Sequence, residues 1–259
     1  FYVFMATEYG TIKRVELEQF SNVRSNGLRA LELNGDDRLI GVAITDGEQQ
    51  IMLFSNEGKA IRFAETDVRS MGRSAKGVRG MRVTIGASQV EETEENDVDV
   101  EDEDNSDSVV ISRIVSLVVV PETGEVLCAS EHGYGKRTPV DDFPTKKRGG
   151  KGVIALKTSE RNGELIGAVS IDASKELMLI SDGGTLVRTR ASEVAQTGRN
   201  AQGVRLIRLS NDELLVGVVS VDAVEDEELE GIDVVENTVV EAITSEEVSS
   251  EPKDDTTEE

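Results

Sequence analysis

Short apolar runs separated by polar turns recur along this chain in the same order four times. Each repeat opens with one of them: Val3–Ala6, Ile51–Phe54, Val126–Ala129 or Leu177–Ile180. Runs this short, bounded by turn-forming residues, predict β-strands. A turn around a glycine follows (Gly10, Gly58, Gly133 and Gly184), then a second short strand, so each repeat begins as a tight hairpin. A longer polar stretch leads to a third strand, such as Gly203–Arg208, whose alternation puts Val204 and Leu206 on one face and Arg205 and Arg208 toward solvent or a neighbour. The last run (39–44, 114–119, 165–169 and 214–219) is apolar on both faces, which predicts a buried strand nearest the axis of the fold.

The repeats keep register in single residues. Four positions after the turn glycine stands Arg14, Arg62, Arg137 or Arg188, and ten positions after it an apolar anchor, Phe20, Val68, Phe143 or Val194. Nineteen positions on, three repeats place a second glycine, Gly77, Gly152 and Gly203, and the first has Gly27 two residues early. Four strands in a repeat of about 50 residues predict the blade of a β-propeller, a unit that cannot bury its apolar face alone. The fold expected is all-β, with blades of four antiparallel strands at 1–47, 48–124, 125–174 and 175–221. The turn glycines are 48, 75 and 51 residues apart, so 88–108 reads as an insertion between the third and fourth strands of the second blade.

Composition changes this picture in one respect. The net charge of -23 looks hostile to nucleic acid, but residues 88–108 hold 11 acidic and no basic residues, and 222–259 hold 16 acidic residues against Lys253 alone. The remainder carries 24 acidic and 27 basic residues, so the repeats themselves are mildly basic. Both acidic segments lack the apolar content to offset chain entropy and are expected to be disordered. With 3% aromatic residues and no Trp, several small cores suit the chain better than one large one. A single cysteine, Cys128, excludes an internal disulfide, and no apolar run approaches the roughly 20 residues of a membrane span. A cytoplasmic protein without membrane contact is expected. The strand-like Tyr2–Met5 at the very start suggests a chain that begins inside a larger protein.

The basic residues gather in the loop after the apolar anchor. They are Arg24 in the first repeat, Arg69, Arg73, Lys76 and Arg79 in the second, Lys146, Lys147, Arg148 and Lys151 in the third, and Arg199 in the fourth. Equivalent loops share one rim of a propeller, so these residues predict a curved basic strip that contacts the phosphates of double-stranded DNA, salt-dependently and with little sequence preference. The four repeated arginines read as structural bridges to a carboxylate or carbonyls of a neighbouring blade. Gly41, Gly167 and Gly217 read as positions of close sheet approach. Gly72–Gly77 has the spacing of a phosphate-binding loop, but Val78 stands where its lysine belongs. Gly150–Ala155 runs into a strand rather than a helix, and Asp97–Asp102 lacks a calcium-loop glycine. With one histidine, His132, in a hairpin turn, no catalytic constellation, metal site or cofactor site is expected.

Tyr9–Arg14 and His132–Thr138, with Gly58-Lys59 and Gly184–Thr189 as variants, resemble the C-terminal domain of the DNA gyrase A subunit. Met71–Arg73, Gly77–Gly80, Gly198–Asn200 and Gly203-Val204 extend the resemblance over residues 1 to about 222. It implies a six-bladed β-pinwheel that swaps strands between blades, of which this chain holds the last four and the acidic tail. It further implies DNA wrapping around a basic perimeter, in support of ATP-dependent negative supercoiling by an A2B2 holoenzyme with the gyrase B subunit in the bacterial nucleoid. Lys146–Gly152 is close to the family's Gln-Arg-Arg-Gly-Gly-x-Gly signature, with lysines for the glutamine and first arginine. The family's nucleophilic tyrosine and metal-binding parts match nothing here, so no DNA cleavage is expected. Two alternatives stay open: the corresponding domain of topoisomerase IV, and a propeller that binds an acidic protein. The tail 222–259 is expected to compete with DNA for the basic rim as a tethered polyanion. Its removal should tighten DNA binding at low salt; an unchanged affinity would contradict this.

Overall fold

Each repeat's first two runs form the expected hairpin: β1 (Tyr2–Thr7) with β2 (Thr11–Glu16), β4 (Gln50–Ser55) with β5 (Lys59–Ala64), β8 (Glu125–Ser130) with β9 (Tyr134–Pro139), and β12 (Lys175–Ser181) with β13 (Leu186–Arg190). The last runs, β3 (Leu39–Thr45), β7 (Ile114–Val120), β11 (Leu165–Ile171) and β15 (Leu215–Asp222), pair antiparallel with the first strand of the same repeat. This computed structural model describes residues 1–84, 112–121, 123–172, 174–210 and 212–223. The acidic insertion 88–108, and the tail beyond Ala223, lie outside the described residues.

The third strands depart from the repeat-by-repeat reading of the sequence. They are two residues long, β6 (Val78–Arg79), β10 (Val153–Ile154) and β14 (Val204–Arg205), and each pairs with the second strand of the preceding repeat. The sheets therefore run β3-β1-β2-β6, β7-β4-β5-β10, β11-β8-β9-β14 and β15-β12-β13. The strand exchange implied by the resemblance is present, and a blade is one repeat's hairpin and inner strand closed by a strand from the next. Among the described residues no following repeat serves the fourth sheet, which has three strands.

The repeated glycines mark where the exchanged strand lands. At Gly77, Gly152 and Gly203 a Cβ would fall 2.5, 2.6 and 2.5 Å from the carbonyl oxygens of Ile12, Ala60 and Gly135 in the preceding blade, and φ there is +101°, +81° and +85°. Side chains are thus barred on both steric and backbone grounds. At Gly27 a Cβ would meet nothing within 4 Å. Just beyond, the amides of Gly80, Ala155 and Leu206 each donate to the turn glycine of the preceding repeat, Gly10, Gly58 and Gly133, at 2.8 Å.

Three small cores fill the spaces between adjacent sheets. The first gathers Phe4, Ile12, Leu53, Phe63, Val68 and Met81, the second Met52, Phe54, Val126, Cys128 and Phe143, the third Leu127, Leu177, Leu179, Val194 and Ile207. Phe54 and Phe143 meet edge-on at 6.3 Å between centroids, an arrangement worth about 0.5–1.5 kcal/mol beyond area burial. Burial pushes the Cys128 thiol up to about 12, so it is an inert core residue. The inner strands are less buried than their composition suggests. Val42 and Ile44 of β3 are 54% and 56% exposed, and Val216 and Val219 of β15 are 53% and 57% exposed, because among the described residues the first and fourth sheets are flanked on one side only. Gly41 and Gly167 do admit the next blade's Leu117 and Val218, whereas Gly217 faces Ile180 of its own sheet.

The repeated arginines tie each blade to the next. Arg62 Nη1 donates to the carbonyls of Val140 and Phe143 at 3.0 and 3.3 Å, and Arg137 Nε donates to Val194 O at 2.7 Å while Nη1 meets Glu125 at 2.6 Å. Arg14 lies 3.7 Å from the buried Glu65 and stacks over the Tyr2 ring at 4.4 Å. Arg188, which meets no following blade among the described residues, turns to Glu176 of its own hairpin. Two lysines act beside them. Lys136 is fully buried and its Nζ donates to Gly198 O at 2.6 Å and Arg199 O at 2.8 Å. Lys13, equally buried, donates to Ala30 O at 2.8 Å and to Arg73 O. Each pins the basic loop of the next repeat from beneath.

Burial pushes the Lys136 amine down from 10.5 to about 8. From pH 8 toward 10.5 the folded state holds this amine neutral while the unfolded chain still binds a proton, so the residue's contribution to stability grows with pH. Denaturant melts of the chain and of Lys136→Met should therefore diverge over that range, by on the order of 1–3 kcal/mol. A constant difference between the two would contradict this.

Candidate nucleic-acid interface

Each basic loop leaves a fixed point and lands on another. The anchors Val68, Phe143 and Val194 are buried, and their amides close the 3-10 turns Glu65–Asp67, Val140–Asp142 and Ala191–Glu193 at 3.0, 3.0 and 3.1 Å. The chain then runs parallel to the end of the preceding blade's second strand, through bridges Arg14↔Ser70, Arg62↔Thr145 and Arg137↔Gln196. Amides of Met71, Lys146 and Thr197 donate there to the carbonyls of Arg14, Arg62 and Arg137 at 2.9, 2.8 and 2.9 Å. From this point it reaches the outer strand. The three loops consequently lie at equivalent places along the outer edges of the first three sheets.

The basic residues singled out from sequence fall into two groups. Arg24, Arg69, Arg79, Lys146, Lys147 and Lys151 are exposed, and none has a carboxylate within 4.0 Å among the described residues. The others hold loops. Arg148 Nε donates to Asp67 O at 3.1 Å and its Nη1 to Arg79 O at 2.9 Å, tying 146–152 to β6 of the first sheet. Arg199 Nη1 donates to Ile154 O on β10 at 3.1 Å. Arg73 Nη1 reaches Arg29 O at 3.4 Å, whereas Lys76 is exposed like the first group and stands 4.0 Å from Glu32.

Lys146–Gly152 bends tightly. Gly149 and Gly152 have φ of +87° and +81°, Gly149 N donates to Gly80 O at 2.6 Å, and Gly150 O accepts from Arg82 N at 2.9 Å. These contacts fold the backbone inward and leave the three lysines outward. A further basic group, Arg82, Arg161, Arg205 and Arg208, is exposed throughout and was not singled out from sequence. The register carried the signal: Arg205 sits at the offset of Arg79, and Arg208 at that of Arg82.

Among the described residues no group of three or more His, Cys, Asp or Glu side chains is placed to hold a metal ion, and no helix is long and apolar enough to cross a membrane. His132 lies in its turn with Nδ1 3.2 Å from Arg161 O. A band of cations on carbonyl-anchored loops is suited to polyanion binding.

The sequence matches the family described as DNA gyrase C-terminal domain, beta-propeller, over residues 2–46, 49–96, 124–172 and 175–222. The chain is 49% identical over 235 residues to the DNA gyrase A subunit of Haemophilus influenzae, covering 88% of this chain and 26% of that protein. It is 51% identical over 218 residues to that of Pseudomonas aeruginosa, covering 84% and 21%. It thus spans about a quarter of the length of these relatives. A solved DNA gyrase A C-terminal domain superposes with TM-score 0.68 at 26% identity, covering 85% of this chain and 65% of that one. The C-terminal domain of DNA topoisomerase IV shares the fold with TM-score 0.72 at 22% identity, covering 85% and 62%. With its repeats matched one by one, the chain belongs to the DNA gyrase C-terminal domain family.

Proposed function

We propose that this chain is the DNA-binding and DNA-wrapping module of a gyrase A subunit. It bends duplex DNA around the edge formed by its outer strands, and in the A2B2 holoenzyme with gyrase B it supports ATP-dependent negative supercoiling in the bacterial cytoplasm, at the nucleoid. The observation that carries this reading is the recurrence, in register, of basic loops whose backbones are pinned while Arg69, Arg79, Lys146, Lys147 and Lys151 stay exposed; Arg24, in the first repeat, is exposed on a loop outside that series. Pinning removes loop entropy that binding would otherwise cost, and cations carried on equivalent loops of successive blades suit an extended polyanion. Contacts to phosphate carry no base information, so sequence preference should come from DNA bendability. The module works without metal or cofactor and does not cleave DNA itself; cleavage belongs to other parts of the holoenzyme. The near-signature at 146–152 favours gyrase over the corresponding domain of topoisomerase IV, which lacks the signature.

Duplex affinity should fall with salt along a log–log line, with a slope of about -0.9 per phosphate contacted. Lys146→Gln, Lys147→Gln and Lys151→Gln together should make that slope shallower by about 2 to 3. A slope near zero in the parent chain would instead favour a protein-binding propeller. Ligation of nicked circular DNA with the chain bound should shift the linking number. Binding without a shift would mean that these four blades hold the duplex without wrapping it.

A further inference from the structure

The outer edge of the third sheet carries a cleft that none of the basic loops forms. Tyr134, at the start of β9, is 8% exposed, and its hydroxyl accepts from Arg205 Nη2 at 3.0 Å. Arg205 lies directly across the ladder from it on β14. The Arg161 guanidinium stacks on the Tyr134 ring at 4.8 Å and that of Arg205 lies 5.5 Å from the same centroid. With Arg208 these residues line an open cleft of about 500 Å³.

Three guanidiniums converge here with no ion-pair partner among the described residues. No carboxylate lies within 4.0 Å of Arg161, Arg205 or Arg208 among the described residues. Glu213, on the margin of the cleft, is engaged by Ser181 Oγ and by Ser210 N at 2.9 Å. The hydrogen bond from Arg205, and after it the adjacent Arg161 guanidinium, hold the Tyr134 phenol below its ordinary range, the response of a hydroxyl to an electropositive site. A planar, many-donor, positively charged cleft fits a tetrahedral oxyanion. Its place in the fold selects which one. Arg205 occupies on β14 the register position that Arg79 occupies on β6, facing Tyr134 as Arg79 faces Thr11, so the cleft lies on the edge that carries the basic loops.

We propose that Tyr134, Arg161, Arg205 and Arg208 form a receptor for one backbone phosphate of duplex DNA, with Arg161 and Arg205 gripping it beside the tyrosine and Arg208 closing the cleft. The site rests on the DNA-binding reading and extends its contact edge onto the third sheet. The phosphate offsets the mutual repulsion of the guanidiniums, and Tyr134 holds two of them in place before DNA arrives.

The test is duplex affinity against salt for the full chain, for Arg208→Gln, and for the double variant Arg161→Gln with Arg205→Gln. Arg208 makes no hydrogen bond among the described residues, so its replacement leaves folding intact. The double variant should lose about tenfold in affinity at low salt and make the slope shallower by about 0.9, one phosphate's worth. Arg208→Gln should move both the same way by less. If the parent chain binds with its usual slope and both variants match it, the receptor is refuted while DNA binding stands; the same holds if the double variant melts lower yet keeps the slope. A parent chain that binds no DNA would overturn the DNA reading as a whole. Weaker binding of the variants to a short acidic peptide, with DNA binding unchanged, would also refute it.

Discussion

The exchange of one two-residue strand between consecutive blades is the constraint on which the rest of this molecule depends. β6, β10 and β14 each supply a short ladder, yet to reach it the chain must first lie along the neighbouring blade's second strand and pass a glycine too close to a carbonyl to bear a side chain. Everything between anchor and landing strand is thereby fixed from both ends. The basic loops occupy that interval, so strand exchange holds successive blades together and also sets the cation-bearing loops at equivalent places along the edge.

Charge is divided between two tasks. Arg14, Arg62 and Arg137 reach the next repeat, Arg148 and Arg199 donate to carbonyls of outer strands, and Lys13 and Lys136 bury their amines beneath the loops. Such groups cost desolvation and return rigidity. The exposed lysines and arginines above them remain free to meet an anion. Replacing a residue of the first kind should disturb geometry, one of the second kind only charge.

Much of this was legible in the sequence because the repeat supplied four readings of every position. The hairpins, the turn glycines and the bridging role of the arginines at offset four follow from pattern alone. The destination of the third strand does not, because an apolar, glycine-led segment such as Gly77–Arg79 reads alike whether it closes its own sheet or its neighbour's. Burial of the inner strands was overestimated in the first and fourth sheets, where Val42 and Val216 have no covering sheet among the described residues and local composition cannot report which neighbour a strand meets. Lys13 and Lys136 were invisible as loop ties, since a lysine in a strand is ordinarily solvated. The Tyr134 cleft was missed because Arg161 joins it from a different part of the repeat than Arg205.

Lysine-modification mass spectrometry, with and without duplex DNA, tests most directly whether strand exchange builds one continuous contact edge. Lys76, Lys146, Lys147 and Lys151 come from two repeats, and Lys175 sits at the start of β12, paired with Asp222. Expected is joint protection of the first four at one DNA concentration, with Lys175 unchanged. Protection confined to one repeat, or spread equally to Lys175, would contradict a single edge set by the exchanged strands.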